Sequence, residues 1–430
     1  MNRRWSVRAR WIVPLDRPPI HDGILTMDGG RIAEVAAPKD VVLNPSTDPV
    51  DLGDCVVLPG LVNAHTHLDL GGLRQLPKQM PASCSFAEWL RQVVAYRRSA
   101  SSDGVRKAIR EGIEESLRSG VTLVGDISAD GASLFELENS PLRAVVFHEV
   151  IGLTRDRARQ TWRQAREWLA RNHGKTRCRQ GLSPHAPYSV RRGLFCLSAS
   201  LCRRFGLPWA THFAETLEER QLLESRDGPL RQFLEELGAW DESGLCHGLE
   251  DVLRFTESSG HGICIHGNYL DDLVPRRLVW CPRTHAFFGH PSHPFLDLMQ
   301  QGCMVALGTD SLASNPDLGI LAEARSVFSR HPKLSPEEVL RMATINGAEV
   351  LGLATESGSL TPGKWADWIA VPIPSQERSA ADPDPVRWLM ESDAKPSDVC
   401  LGGQWVVRAG HCGTESVTNT EDSAKNADSR

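Results

Sequence analysis

Two histidines one residue apart close the run Pro59-Gly60-Leu61-Val62-Asn63-Ala64-His65-Thr66-His67. The run follows the apolar Val56-Val57-Leu58 and reads as a buried strand marked by Pro-Gly. Side chains at i and i+2 of a strand share a side, so His65 and His67 project together from its end. Neutral imidazole is a common metal ligand. A third histidine, His212, ends the apolar run Pro208-Trp209-Ala210-Thr211, and Asp310 ends Met304-Val305-Ala306-Leu307-Gly308-Thr309. One such residue alone is more often structural. Three imidazoles and a carboxylate at matching strand ends suit one divalent cation, zinc or ferrous iron, with a position open for water. A cation held this way lowers the pKa of water from ~15.7 toward ~7. Hydrolysis then needs a proton shuttle, and Glu215, three residues past His212, is the nearest carboxylate. Its competing reading is the first turn of a solvated helix, because Glu218 and Glu219 follow.

His266 ends Gly262-Ile263-Cys264-Ile265, another strand end. There it serves either as a further ligand or as a hydrogen-bond partner of the attacking oxygen or the substrate. His185, in Ser183-Pro184-His185-Ala186-Pro187-Tyr188, and His285, in Cys281-Pro282-Arg283-Thr284-His285, are candidate substrate contacts, with loop packing as the alternative. Arg283 is suited either to an anionic or polar substrate group or to an ion pair at the rim. A bridged two-metal site needs an anionic bridging group, often a modified lysine on the fourth strand. The fourth candidate strand, 178–185, contains no lysine, which favours one metal.

The elements that must position these residues alternate. Strands are expected at 56–67, 122–128, 143–150, 178–185, 209–215, 262–269, 278–282 and 304–310, with helical spacing at 85–98, 105–119, 157–172 and 336–351. Eight strands alternating with helices fit an α/β fold, the (β/α)₈ barrel, whose active site lies at the C-terminal strand ends. Before it, Gly23-Ile24-Leu25-Thr26-Met27, the turn Asp28-Gly29-Gly30 and Arg31-Ile32-Ala33-Glu34-Val35 read as a hairpin. After Leu353 the β texture returns, so both chain ends are expected to build one small β domain. The expected boundaries are 1–57 with 358–412 for that composite domain and 58–357 for the barrel. A loop is expected at 375–385 and disorder over the polar tail 413–430.

The 430 residues are 41% hydrophobic and 24% charged, ordinary for a globular chain and long enough for a barrel with an accessory domain. The net charge of −6 argues against nucleic acid as a partner. No stretch approaches the ~18 apolar residues of a membrane helix, and no apolar signal core follows the first residues. Eleven scattered cysteines without a Cys-x-x-Cys fit reduced thiols in a cytoplasmic protein.

Taken together, Pro59 to His67, Thr211-His212-Phe213-Ala214-Glu215, His266-Gly267 and Gly308-Thr309-Asp310-Ser311 resemble the amidohydrolase superfamily. More narrowly they resemble its mononuclear nucleobase and nucleoside deaminase and chlorohydrolase branch, over nearly the whole chain. The resemblance implies a (β/α)₈ barrel with a composite β-sandwich-like domain. It implies one zinc or iron ion on His65, His67, His212 and Asp310, and hydrolytic deamination of an aminated purine-type ring. By that similarity a metal-held hydroxide attacks the amino-bearing carbon and Asp310 takes a proton from the water. Glu215 delivers protons to a ring nitrogen, His266 polarises the attacking oxygen or the substrate, and ammonia leaves. The segment Trp280-Cys281-Pro282-Arg283-Thr284-His285-Ala286-Phe287-Phe288-Gly289-His290-Pro291 departs from the Asn-rich segment of many S-adenosylhomocysteine deaminases. It is more similar to the aminodeoxyfutalosine deaminases of menaquinone biosynthesis, which implies 6-amino-6-deoxyfutalosine or another adenine nucleoside as substrate. A chlorohydrolase or cyclic amidase of the same superfamily is the competing expectation, and a non-catalytic relative the remote one. The expected partner is a small molecule, with neither nucleic acid nor membrane; homodimers are common among such enzymes. The Pro-Cys-x-x-Cys element of the flipped-base zinc deaminases is absent.

Overall fold

The computed structural model describes residues 4–40, 49–80, 84–174 and 177–412. The expected disordered tail lies outside the described residues. Eight parallel strands follow one another in chain order: β1 (Leu61–Thr66), β2 (Val121–Ser128), β3 (Arg143–Val150), β4 (Arg179–Pro184), β5 (Trp209–Phe213), β6 (Gly262–His266), β7 (Arg277–Trp280) and β8 (Met304–Leu307). Nearly every residue in them is buried, as strands covered on both faces must be. Val62, Ala64, Leu123, Phe147, Ile265 and Val279 pack together in the barrel interior. Leu61, Val124, Val146, Leu182 and Trp209 join the larger core shared with the surrounding helices. The α/β barrel is the architecture expected.

Closure between β8 and β1 comes from a few bonds. Thr66 bridges to Asp310. The backbone N–H groups of Thr309 and Asp310 both donate to the His65 carbonyl, at 3.0 and 3.1 Å. Asn63, fully buried, donates Nδ2 to Thr309 Oγ1 at 2.7 Å and accepts from Thr309 N at 3.1 Å.

A second sheet combines Trp5–Ile12, Ile20–Asp28, Arg31–Ala36, Val50–Asp51 and Cys55–Pro59 with Trp368–Pro372, Asp398–Leu401, Gln404–Arg408 and His411–Cys412. Cys55–Pro59 lies centrally, between the strands from the two chain ends. The sheet therefore feeds straight into β1.

Four expectations about elements change. The strand expected over 56–67 is two strands broken at Gly60, where any Cβ would stand 2.1 Å from Thr122 Oγ1. The strands expected to reach 215, 269 and 310 stop at Phe213, His266 and Leu307. Ala214, His266 and Asp310 have φ of 51°, 70° and 56°, left-handed values that end extended pairing. The helix expected over 336–351 splits into Pro336–Met342 and Ile345–Val350, so that Gly347 can pack directly on Val62. The loop expected over 375–385 contains two short helical turns, Ser375–Glu377 and Arg378–Ala381.

Asn63→Ala removes two buried hydrogen bonds at the closure, to Thr309 Oγ1 and from Thr309 N–H, which keeps the His65 carbonyl. Such bonds are worth ~0.5–1.5 kcal/mol each, so the denaturant midpoint is expected to fall with an unchanged slope, as read by urea unfolding.

Candidate active site

Val62 and Ala64 already face the barrel interior, so strict alternation would turn His65 outward. The pairing of β1 with β2 slips between Asn63 and Thr66. An irregularity of this kind re-aims side chains, and His65 and His67 both join the cluster at the strand ends. His212 lies in phase with Ala210 on β5 and needs no such device.

His67 Nε2 lies 3.2 Å from His212 Nε2 and 3.8 Å from Asp310 Oδ1. His65 Nε2 lies 3.6 Å from Asp310 Oδ1. Donor atoms of His65, His67 and Asp310 all lie within 4.8 Å of one another, as do those of His65, His212 and His266. Atoms bonded tetrahedrally to one zinc at ~2.0–2.1 Å stand roughly 3.4 Å apart. Both ring nitrogens of His65 and Nδ1 of His67 are buried without a hydrogen-bond partner. For His65 Nε2, a cation explains a buried lone pair aimed at other lone pairs.

Protonation states agree. Burial, then the charge of His65, keeps His67 far below the usual imidazole range; burial, then His185, does the same for His212. Metal ligands must be neutral imidazoles. The His212 Nδ1–H donates to the His185 carbonyl at 2.8 Å, which leaves the Nε2 lone pair for a cation. Burial opposes ionisation of Asp310, but the surrounding histidines, His65 first, hold its carboxyl well below the usual range. Ser314 Oγ donates to Asp310 Oδ2 at 2.9 Å, leaving Oδ1 toward the histidines.

Glu215 is buried, and His266 Nε2 lies 3.5 Å from its Oε1. Burial, reinforced by Asp310 and Glu219, pushes its carboxyl well above the ordinary range. Burial pushes His266 down to about 3, so it is a neutral ring. These residues open onto a cavity of about 500 Å³. Phe86, Trp89 and Leu90 from the helix Phe86–Ser99 and Phe233 and Leu234 from the helix Pro229–Glu236 form its apolar wall.

The expected substrate contacts divide. His185 lines the cavity beside Tyr188. Arg283 does not reach it: Nε donates to Glu323 Oε1 at 2.7 Å and Nη2 to Asp317 Oδ1 at 2.7 Å. Its guanidinium is consumed by a fully buried carboxylate and a second acid, the ion-pair alternative. His285 is also outside the lining, packed among Trp280, His290 and His293. Sequence reasoning missed Glu219, Arg97, Glu149 and Tyr188. Glu219 is not on a solvated face; it is fully buried and accepts the N–H groups of Ala214 and Glu215 at 3.0 and 3.2 Å. An acid four residues past Glu215, in the first turn of the helix Leu217–Ser225, was its only signal.

The model of the amidohydrolase family matches residues 56–406. A 5-methylthioadenosine/S-adenosylhomocysteine deaminase of Moorella thermoacetica is 28% identical over 405 residues, covering 90% of each chain. Among solved structures, the Helicobacter pylori aminofutalosine deaminase in complex with methylthio-coformycin aligns with a TM-score of 0.78 at 23% identity, over 94% of this chain and 100% of that one. An adenosine deaminase of Xanthomonas campestris with bound zinc aligns with a TM-score of 0.76 at 22% identity, over 96% and 94%. The chain belongs to the amidohydrolase family. It is a hydrolase of carbon–nitrogen bonds other than peptide bonds.

Zinc supplied at ~1,000 times its dissociation constant is expected to stabilise the fold by ~4 kcal/mol. His212→Ala is expected to lose most of that gain, compared by unfolding midpoints with and without a chelator.

Proposed function

We propose that the chain is a hydrolytic deaminase of an adenine nucleoside, with His65, His67, His212 and Asp310 as ligands of one divalent cation, zinc in the first instance. The observation that carries the reading is the buried Glu215 on the cavity wall, 3.5 Å from His266, its carboxyl pushed up by burial while that of Asp310, on the same cavity, is held down. A cation bound by the four ligands supplies Lewis acidity that brings the pKa of water toward neutrality.

The residues divide the remaining work. Asp310 Oδ1 takes the proton that water loses as its oxygen adds to the amino-bearing ring carbon. Glu215 gives its proton to the neighbouring ring nitrogen, which receives the electron pair displaced from the C=N bond. The neutral His266 hydrogen-bonds the adding oxygen. The proton on Asp310 then passes to the amino group, ammonia leaves as the added hydroxyl becomes a carbonyl, and the hydroxyl proton goes to the Glu215 carboxylate, which restores both acids. An acid and a base at one carbon, held apart in pKa by their surroundings, match this demand.

For the nucleoside, support comes from relatives named as deaminases of adenosine-type nucleosides. Those names favour a substituted 5′ position. 6-Amino-6-deoxyfutalosine, the base and acid chemistry being the same, stays within this reading. The seventh-strand segment no longer argues for it directly, because Arg283 and His285 stand outside the cavity lining.

Metal-loaded protein is expected to release ammonia from at least one member of a panel of adenosine, 5′-deoxyadenosine, methylthioadenosine, S-adenosylhomocysteine and aminodeoxyfutalosine. Silence across the panel overturns the reading. Glu215→Gln is expected to lower kcat by roughly 10²–10⁴-fold while the nucleoside still binds. The raised Glu215 must be protonated to act as the acid, so kcat is expected to hold on the acid side and fall as pH rises through its pKa. A kcat that climbs steadily with pH contradicts the assignment.

A further inference from the structure

We propose that Glu149, pinned by Arg97, is a hydroxyl-recognising subsite of the cavity that takes the vicinal diol of the substrate's sugar. The inference rests on the nucleoside reading above and adds which part of the nucleoside this chain grips.

Glu149 is the penultimate residue of β3. Its side chain is 3% exposed, yet it lines the cavity. Burial opposes its ionisation, but the charge and hydrogen bond of Arg97 together with the charge of His185 hold its carboxyl below the usual range. Arg97 comes from the helix Phe86–Ser99 and donates Nη1 to Glu149 Oε2 at 2.6 Å, with Asp69 Oδ2 3.6 Å from its Nη2. Two carboxylates already answer this one cation, so a substrate anion gains little beside it. Glu149 Oε1 is different: no group among the described residues donates to it. A buried, ionised carboxylate on a ligand cavity with an unclaimed oxygen needs donors. Sugar hydroxyls are donors; ether oxygens and unprotonated ring nitrogens are not.

The place fits as well. The rings of His212 and His185 lie 4.8 Å apart, and the charge of Glu149 acts directly on His185. Strand pairing sets Glu149 opposite Ser183, two residues before His185. A purine ring placed for attack between Asp310 and Glu215 carries its sugar outward, toward this wall. Arg97 contributes by positioning: with its charge and its hydrogen bond it keeps Glu149 ionised and in one rotamer.

The test measures calorimetric binding and ammonia release for adenosine, 2′-deoxyadenosine and 3′-deoxyadenosine on the metal-loaded protein. A hydrogen bond to a charged group is worth roughly 10- to 100-fold. At least one deoxy analogue is expected to bind weaker than adenosine by that factor. Glu149→Gln is expected to bring adenosine down to that analogue while leaving the analogue unchanged. Because this variant leaves Arg97 short of a partner, the paired Arg97→Met, Glu149→Leu variant is measured beside it, its folding checked by circular dichroism, with the same loss of discrimination expected. Equal binding of all three by the wild type, or a ratio that neither variant changes, overturns the subsite. Discrimination without ammonia release sinks the deaminase reading alone. Ammonia release without discrimination sinks the subsite alone, and no binding at all sinks both.

Discussion

The carbonyl of His65 is the point on which the site depends. It accepts the N–H groups of both Thr309 and Asp310, and so joins the first barrel strand to the last. One backbone oxygen thereby sets the distance between two chain segments almost 250 residues apart in sequence. Asn63 repeats the tie from one step earlier, through Thr309. The same few bonds that close the sheet bring the imidazoles of His65 and His67 against the Asp310 carboxylate. Stability and the proposed chemistry share these atoms, so the proposed ligands are preorganised by the barrel itself and not by flexible loops.

A second constraint is electrostatic. Asp310 and Glu215 open onto one cavity, and both are buried. Their carboxyls move in opposite directions because their neighbours differ. Asp310 is surrounded by imidazoles that favour its charge, whereas Glu215 meets Asp310 and Glu219, which oppose it. Burial of Glu219 pushes it up to about 7, yet it still accepts two backbone N–H groups. These bonds hold the left-handed Ala214, which otherwise carries the strain of a positive φ. Glu219 is thus the brace of the turn that presents Glu215.

The barrel was legible because its strands are apolar, short and regularly spaced between helical patterns. The candidate ligands stood out because each stands at the end of such a run: His65 and His67 after Leu61-Val62, His212 after Trp209-Ala210, Asp310 after Val305-Ala306-Leu307. What periodicity cannot carry is the backbone past the last paired residue. The left-handed turns at Ala214, His266 and Asp310, and the slipped pairing at Asn63, follow from three-dimensional closure. Arg283 shows the same limit at the level of side chains. From its neighbours it reads equally as a substrate contact or an ion pair, and only the arrival of Glu323 and Asp317, some 35 to 40 positions along, decides between them. Glu149 was invisible for a related reason: a carboxylate one residue from the end of an apolar strand reads as an exposed strand terminus until Arg97 is packed against it.

The cavity walls and the acid are coupled. Glu215 owes most of its raised pKa to burial, and the apolar wall of Phe86, Trp89, Leu90 and Phe233 on that cavity excludes the water that would otherwise solvate its charge. A flat heteroaromatic ring entering between this wall and Glu215 displaces still more water. That change favours the protonated carboxyl further, at the moment when a proton donor to the ring is needed. The charge of Glu149 in the cavity wall is paired with that of Arg97, which lines the cavity beside it, and so does little to disturb this balance. In the proposed deaminase, a wall that holds an apolar ring therefore also keeps the acid loaded, which ties recognition of the ring to the chemistry performed on it.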